Sequence, residues 1–307
     1  MNKRLGILLL SMLGSVCTLA SETCVENSDG VKIWYEFDSK TKTARVTHEG
    51  KRFRSWDNKY TGDVVIPSKV TYEGVEYDVT SIGNRAFSAC FNLTNISIPE
   101  SVTKIEKAAF KGCSKLTNVT IPENVTIIGK SAFESCSNLI NVTIPESVTM
   151  IGKSAFKFCL RLTNVTIPEN VTMIGKSAFE FCLRLTNVTI PNNVKSIKKK
   201  AFLACPSLTD VTIPSNIKSI KKKTFGHCSN LTSLTIPNNV KSIKKYAFEQ
   251  CVDIKTLTIS EGVKRIGKGA FRGCVNITNK TIPSTVRIGK ENFNNPSTYF
   301  RLGVPID

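Results

Sequence analysis

Cysteine and histidine are the residue types in this 307-residue chain that could supply a nucleophile, a base or a metal ligand. There are eleven cysteines and two histidines. His227 directly precedes Cys228, and a cysteine with a neighbouring histidine base is one way to build a catalytic nucleophile. His48 has no second ligand type at metal spacing, and the sequence contains no Cys-x-x-Cys pair. We therefore expect no metal site and no other cofactor.

The spacing of the cysteines argues against catalysis. Nine of them recur every 23 residues from Cys90 to Cys274, in step with nine phenylalanines from Phe87 to Phe271. A fixed period of this length is typical of a stacked solenoid, in which each repeat buries its apolar face against its neighbours. The nine thiols should then form an inward column, where free cysteine packs as a small apolar residue. We predict no catalytic residues and no enzymatic activity, with His227 a variant of a surface turn.

The repeat predicts the elements that position these residues. A clean copy, LTNVTIPENVTIIGKSAFESCSN, runs from Leu116 to Asn138. Its Leu-x-x-Val-x-Ile segment alternates as a short strand does, and the following proline ends the strand pairing. The segment Ser131-Ala132-Phe133-x-x-Cys136 predicts a short helical turn. The expected fold class is an α/β solenoid with a curved parallel β-sheet on one side and short helical turns on the other.

The two ends of the chain depart from the repeat. Residues 1–20 read as a secretory signal peptide, with a basic start at Lys3 and Arg4 and a short apolar run. Residues 21–78 are rich in β-forming runs and predict a small N-terminal β cap that includes a hairpin insertion. Residues 79–283 form the repeats and 284–307 a C-terminal cap. No stretch after the signal is apolar enough to predict a transmembrane segment. Cys24 lies outside the repeats, and its pairing stays open.

Lysines make up one candidate binding surface. Residues 191–274 contain sixteen Lys or Arg and four Asp or Glu, so they carry +12 of the formal net charge of +18. Such a patch favours an acidic partner: an acidic glycan, a lipopolysaccharide headgroup or extracellular DNA. Few aromatics interleave with the lysines, which argues against specific nucleic-acid recognition. The competing interpretation is duplication of a lysine-rich unit. The candidate residues of this polyanion edge are Lys195, Lys198, Lys199, Lys200, Lys218, Lys221, Lys222, Lys223, Lys241, Lys244, Lys245, Lys264 and Lys268.

Threonine and asparagine form a second candidate surface, on the predicted concave face of the sheet. Stacked threonines suit a solvated strand face without any ligand, because they are β-branched and their hydroxyls can pair across strands. The functional interpretation is a polar platform for a protein or glycan, since concave solenoid faces are common binding surfaces. Its candidate residues are Asn118, Thr120, Asn141, Thr143, Asn164, Thr166, Asn187, Thr189 and Thr212.

The pattern Leu-x-x-Val-x-Ile-Pro-x-x-Val-x-x-Ile-Gly-x-x-Ala-Phe-x-x-Cys resembles the BspA-type leucine-rich repeat. The resemblance covers roughly Asp63 to Ile288. It implies an exported or surface-located protein that acts by binding, without shared catalytic residues, and in many members with a role in adhesion. The chain is therefore interpreted as a secreted or cell-surface protein that recognises an extracellular protein or glycan through its solenoid surface. A spacer role in the envelope and polyanion binding through the lysines are the alternatives. The ligand and the oligomeric state stay open.

Overall fold

The computed structural model of this protein describes residues 17–19, 22–48 and 60–293. Most of the predicted signal peptide and residues 294–307 of the predicted C-terminal cap lie outside the described residues.

Seven strands precede the regular stack. β2, β3 and β4 form an antiparallel meander, β4 then pairs in parallel with β7, and β6 and β7 form a hairpin. This sheet presents Val79 and Ile82 to the first rung, so the apolar end of the stack is covered. The bounds are β1 (Cys17–Leu19), β2 (Glu22–Glu26), β3 (Lys32–Asp38), β4 (Thr43–Thr47), β5 (Gly62–Val65), β6 (Lys69–Tyr72) and β7 (Val75–Ile82).

Each rung of the repeats contributes a longer and a shorter strand, except that no longer strand precedes the short strand Ser219–Ile220. Their bounds are β8 (Leu93–Ser97), β9 (Lys104–Ile105), β10 (Asn118–Thr120), β11 (Ile127–Ile128), β12 (Asn141–Thr143), β13 (Met150–Ile151), β14 (Asn164–Thr166), β15 (Met173–Ile174), β16 (Asn187–Thr189), β17 (Ser196–Ile197), β18 (Ser219–Ile220), β19 (Ser233–Ile236), β20 (Ser242–Ile243), β21 (Thr256–Ile259), β22 (Arg265–Ile266), β23 (Asn279–Thr281) and β24 (Arg287–Ile288).

Parallel pairing between rungs joins these strands into two ladders. The long-strand ladder runs β10-β12-β14-β16 and resumes as β19-β21-β23, while the short-strand ladder runs β7-β9-β11-β13-β15-β17 and resumes as β18-β20-β22-β24. The long-strand ladder also has β5 paired with β8, without pairing from β8 to β10. Within the described residues, both ladders are interrupted at the same place. β17 does not pair with β18, and β16 does not continue to β19, because the rung between them lacks the longer strand. The interruption is the step from residues 187–197 to residues 219–233. We call this step the open step.

The prediction of helical turns is wrong: the described part of the chain contains no helix. In the segment that follows Gly129, Ser131 and Ser135 have left-handed backbones with φ of 58° and 64°. The N–H of Phe133 donates to the oxygen of Ala155 in the next rung (2.8 Å), and the N–H of Ser135 donates to Lys157 (2.7 Å). An α-helix would need these amides for its own i→i−4 bonds. Consecutive tight turns therefore form a third ladder, the turn ladder, which continues across the open step through Phe202 N–H to Thr224 O at 2.9 Å.

The core is a set of straight columns. Ten phenylalanine rings from Phe87 to Phe293 stack with centroids 5.2–5.5 Å apart. Beside them, the nine repeat cysteines are buried, as predicted. From Cys113 to Cys274, each thiol donates to the backbone oxygen of the phenylalanine 26 residues earlier, at 3.0–3.2 Å. The column thus also satisfies carbonyl groups that point into the apolar interior.

Candidate functional site

A row of lysines runs along the stack, one per rung, between the short-strand ladder and the turn ladder. Ile128 shows why it is there: the isoleucine is buried, Gly129 turns the chain, and the next side chain points to solvent. The same position recurs every 23 residues, so successive lysines lie one rung apart. The row consists of Lys107, Lys130, Lys153, Lys176, Lys199, Lys222, Lys245 and Lys268.

A second row joins the first in the later repeats, and the two rows enclose a groove. Where the earlier rungs have Gly129, Gly152 and Gly175, the later rungs have lysine. We define the lysine groove by the seven side chains that line its volume of about 550 Å³: Lys176, Lys198, Lys199, Lys221, Lys222, Lys244 and Lys245.

The groove is an uncompensated cationic surface. Among the described residues, none of its seven lysines forms an ion pair. The charges of Lys199 and Lys153 lower the pKa of Lys176, because a neighbouring cation disfavours another positive charge. An anion bound in the groove would relieve this repulsion.

Three lysines of the predicted polyanion edge are partnered by carboxylates. Lys200 lies 3.4 Å from Glu180, and Lys223 lies 3.3 Å from Glu249. Lys268 is the last lysine of the first row but pairs with Glu291 at 2.7 Å. These three lysines flank or extend the lysine groove without lining it.

Four further lysines of the predicted edge lie one residue before the short strands and outside the groove lining. Lys195, Lys218, Lys241 and Lys264 are exposed. The Nζ of Lys241 donates to Asn238 O at 3.4 Å, and that of Lys264 to Glu261 O at 3.5 Å. The structure therefore brings together six of the thirteen predicted lysines and adds Lys176 to them.

Two buried carboxylates behind the lysines were missed by the sequence analysis. The Glu180 side chain is 4 % exposed, between Lys157 at 3.1 Å and Lys200. Burial works to raise the pKa of Glu180, but hydrogen bonds from Ser177 and Lys157 and the two lysine charges outweigh it, so the pKa is lowered. Glu249 is held likewise between Lys223 and Arg272.

Reading the sequence at this one repeat position would have revealed these carboxylates. The residue two places before the column cysteine alternates in sign from rung to rung between Lys111 and Glu180, which places opposite charges one above the other in the stack. The alternation stops at the open step, where two uncharged residues follow in succession. The column reads Lys111, Glu134, Lys157, Glu180, Leu203, Gly226, Glu249 and Arg272.

The predicted threonine-asparagine face is exposed at all nine positions. Asn118 faces Asn141, and Thr120 faces Thr143, in parallel register. The Nδ2 of Asn141 donates to Asn118 Oδ1 at 3.3 Å. Thr212 lies at the open step, outside the strands. This face is a regular polar surface whose side chains partly satisfy one another.

His227 and Cys228 do not form a nucleophile–base pair. The Cys228 thiol is buried and donates to Phe202 O at 3.2 Å, and burial raises its pKa to about 12. His227 lies on the turn ladder at φ 59°, where burial lowers its pKa. A thiol with so high a pKa supplies almost no thiolate at neutral pH.

Two absences concern only the part of the chain that the structure describes. No group of three or more His, Cys, Asp or Glu residues there is arranged to hold a metal ion. No helix there has the length and apolar composition needed to cross a bilayer.

Comparisons with known proteins agree on the repeat. The family described as "BspA type Leucine rich repeat region" matches in six copies, over residues 80–209 and 195–299. A crystal structure of a leucine-rich repeat protein from Bacteroides ovatus is 33% identical, with a TM-score of 0.76 over 84% of this chain. This chain spans 66% of that protein's length. No curated protein matches the chain.

Two more distant solved structures are also similar to this chain. A leucine rich cell surface protein from Faecalibacterium prausnitzii is 22% identical, covering 92% of this chain and 98% of its own, with a TM-score of 0.39. The leucine-rich repeat protein of T. pallidum is 23% identical, covering 79% and 86%, with a TM-score of 0.43.

Proposed function

The chain belongs to the BspA-type leucine-rich repeat family, and on that premise we propose that it is a secreted or cell-surface protein that binds an acidic extracellular partner along its lysine groove. Leucine-rich repeat solenoids generally act as binding scaffolds, because stacked rungs present a long surface of repeated side chains. The observation that carries the proposal is the groove itself: seven lysines without a counter-ion among the described residues.

The cost of the groove to the fold supports a role in binding. Lys198, Lys221 and Lys244 stand where the earlier rungs have glycine. A Cβ at Gly152 would lie 2.6 Å from Ile128 O, so the glycine geometry has no room for a side chain. Like charges one rung apart also repel by about 1 kcal/mol per close pair in water. Packing alone favours neither the replacement of glycine by lysine nor the stacking of like charges. An acidic partner would favour both.

The extracellular location rests on the predicted signal peptide of residues 1–20. A partner on a host matrix or on another cell would make the protein an adhesin. An acidic glycan, or a protein that displays acidic side chains or glycans, would meet the requirement of the groove.

Two matched triple variants test the groove. The groove variant is Lys198→Gly, Lys221→Gly, Lys244→Gly, and the control is Lys195→Thr, Lys218→Thr, Lys241→Thr. Both lose three charges, and both take the residue that the earlier rungs have at that position. Binding of the purified protein to polygalacturonate, heparin and neutral dextran is measured by titration calorimetry.

We expect the groove variant to bind the two polyanions roughly 10- to 100-fold more weakly at low salt, since a lysine near an anionic surface contributes about 1 kcal/mol. The control should bind within about threefold of the wild type, and 1 M salt, with a screening length of about 3 Å, should abolish binding. Equal losses in the two variants would show that net charge matters and the groove does not.

The threonine-asparagine face is the second candidate site. Its favouring observation is the exposure and parallel register of its asparagines and threonines. Binding of a glycan or matrix protein that resists 1 M salt and survives the groove variant would locate the site there. Failure of every probe to bind would leave the spacer role in the envelope.

A further inference from the structure

The lysine groove has a geometry that a simple basic patch lacks. Its cations stand in two rows that follow the stack, Lys176, Lys199, Lys222 and Lys245 in one and Lys198, Lys221 and Lys244 in the other. Each row advances by one rung per lysine. The rung spacing is about 4.8 Å in a parallel ladder, and the stacked phenylalanines of these rungs are 5.3–5.5 Å apart. A ligand that neutralises the rows must place its charges at this spacing along a line.

The side chains of the groove also restrict the chemistry of the ligand. All seven lining residues are lysines. Lysine presents a point charge on a flexible apolar stem and does not impose the bidentate geometry by which arginine recognises carboxylate and phosphate. The lining includes no aromatic ring on which a base could stack. Tyr246, the nearest candidate in sequence, is covered by Lys223 and Arg272 at 5.4 and 5.1 Å from its ring centre.

Resting on the proposed function, we infer that the ligand is a linear polysaccharide with one anionic group per sugar, lying along the solenoid axis with successive sugars on successive rungs. A pyranose unit in an extended chain advances by about the rung spacing, so each sugar lies on one rung and its carboxylate meets a lysine of one of the two rows that flank the chain. The apolar lysine stems face the sugar rings, while the ammonium groups reach the charges. The phosphates of a DNA duplex follow a helical path around the duplex, and two adjacent rows of lysines on one side of the solenoid meet few of them.

The bound chain would cross the open step. Lys198 and Lys199 lie before this step, and Lys221 and Lys222 lie after it. On other rungs the equivalent amide closes the short-strand ladder: Lys198 N–H donates to Ile174 O at 3.0 Å, and Lys244 N–H to Ile220 O at 2.9 Å. The Lys221 N–H makes no such bond to Ile197 in the described structure. A polymer held on both sides of the step would draw the two rungs together and protect this amide.

The test uses galacturonate oligomers of two, four and eight sugars with the purified protein. Single-stranded DNA and inorganic polyphosphate of equal charge serve as comparison ligands. Titration calorimetry gives the affinities, and hydrogen exchange with and without each ligand follows the amide of Lys221. Exchange at Lys198 and Lys244 provides the internal control.

We expect affinity to rise at least about tenfold from dimer to tetramer, because four sugars span the four lysines of the longer row, and less than about threefold from tetramer to octamer. The tetramer should bind at least about tenfold more tightly than DNA or polyphosphate of equal charge. Exchange at Lys221 should slow by about tenfold, with little change at Lys198 and Lys244.

The outcomes separate this inference from the proposed function. Equal binding of DNA, polyphosphate and galacturonate at equal charge would overturn the inference and leave the acidic partner standing. Tight binding of the tetramer with unchanged exchange at Lys221 would also overturn it, because the ligand would not cross the open step. Absence of binding by every polyanion would overturn the proposed function itself.

Discussion

Residues 99–182 and residues 191–274 are equivalent four-repeat segments with the same core and different surfaces. Both bury the same columns of phenylalanine and cysteine. The first segment has nine Lys or Arg and seven Asp or Glu, a net charge of +2, whereas the second has sixteen and four, a net of +12. The inward positions thus have the same residue types in both segments, because stacking of the rungs constrains their size and shape. The outward positions differ, because their side chains are exposed to solvent.

The surfaces differ in structure as well as in charge. In the first segment, a groove of about 480 Å³ contains Glu134 and Glu180 among its lysines, and Gly129 and Gly152 lie directly over the backbone of the preceding rung. In the second segment the equivalent glycines are lysines, and its groove lacks carboxylates. The open step also falls within the second segment. The more strongly charged segment is therefore the one in which strand pairing between rungs is interrupted.

The largest expected effect tests what holds the segments together. Phe225→Ala removes a ring stacked between Phe202 and Phe248, at 5.4 and 5.5 Å. We expect a loss of about 3–5 kcal/mol in the free energy of unfolding. At the open step the strand ladders do not join the rungs, which are held by the core columns, the turn ladder and a few further hydrogen bonds such as Asn216 Nδ2 to Asn192 O at 2.7 Å. Unfolding should therefore split into two transitions, followed by urea titration with hydrogen exchange. The matched variant Phe133→Ala should lose similar stability in one transition; two transitions in both variants would contradict the comparison.

A glycine of the first segment gives the next largest effect. Gly152→Lys places a Cβ 2.6 Å from Ile128 O, so the rung must shift. We expect the free energy of unfolding to fall by about 1–3 kcal/mol. The reciprocal change, Lys221→Gly, should alter it by less than about 1 kcal/mol, because the open step already lacks the close approach. Urea midpoints of both variants measure the difference, and a cost-free Gly152→Lys would show that the earlier rungs do not need glycine.

The buried carboxylate of the first segment predicts a pH dependence. In the folded protein the pKa of Glu180 lies below its ordinary value of 4.5. The ionised carboxylate therefore stabilises the fold above pH 4.5, and this contribution is lost as the pH falls through the folded pKa. Glu180→Gln should cost about 1 kcal/mol at pH 7 and weaken the acid dependence of stability. Thermal unfolding from pH 7 to 3 measures this, with the exposed Glu169→Gln as control. An unchanged acid limb in Glu180→Gln would refute the role of this ion pair.

The smallest expected effect concerns the turn ladder. His227 has φ 59°, and its counterpart two rungs later is Gly273, with φ 80°. His227→Gly should therefore change the free energy of unfolding by less than about 1 kcal/mol, since relief of the left-handed backbone offsets the entropy of glycine. Alkylation of native Cys228 by iodoacetamide at pH 8 should be slow in both proteins. Rapid labelling that depends on His227 would restore the nucleophile hypothesis.

Much of the candidate site was predictable from the sequence, because a lysine that recurs every 23 residues must form a row. The sequence could not show which lysines pair with a carboxylate of the protein and which do not. Lys200 and Lys223 look like Lys199 and Lys222 in the sequence, yet the first two pair with Glu180 and Glu249. These partners lie on neighbouring rungs, and the left-handed backbone of the two lysines aims them there.

The sequence by itself determined the period, the repeat family, the inward columns of Phe87 to Phe271 and Cys90 to Cys274, and the concentration of charge. Each of these depends on one residue repeated at a fixed interval, and side-chain direction within a rung follows from local alternation. Only the tertiary structure decided that the Ala-Phe segments are stacked turns and not helices, and that two ladders stop at the open step. Those outcomes depend on which amide finds an acceptor on the next rung, and a pattern read along one rung does not contain that information.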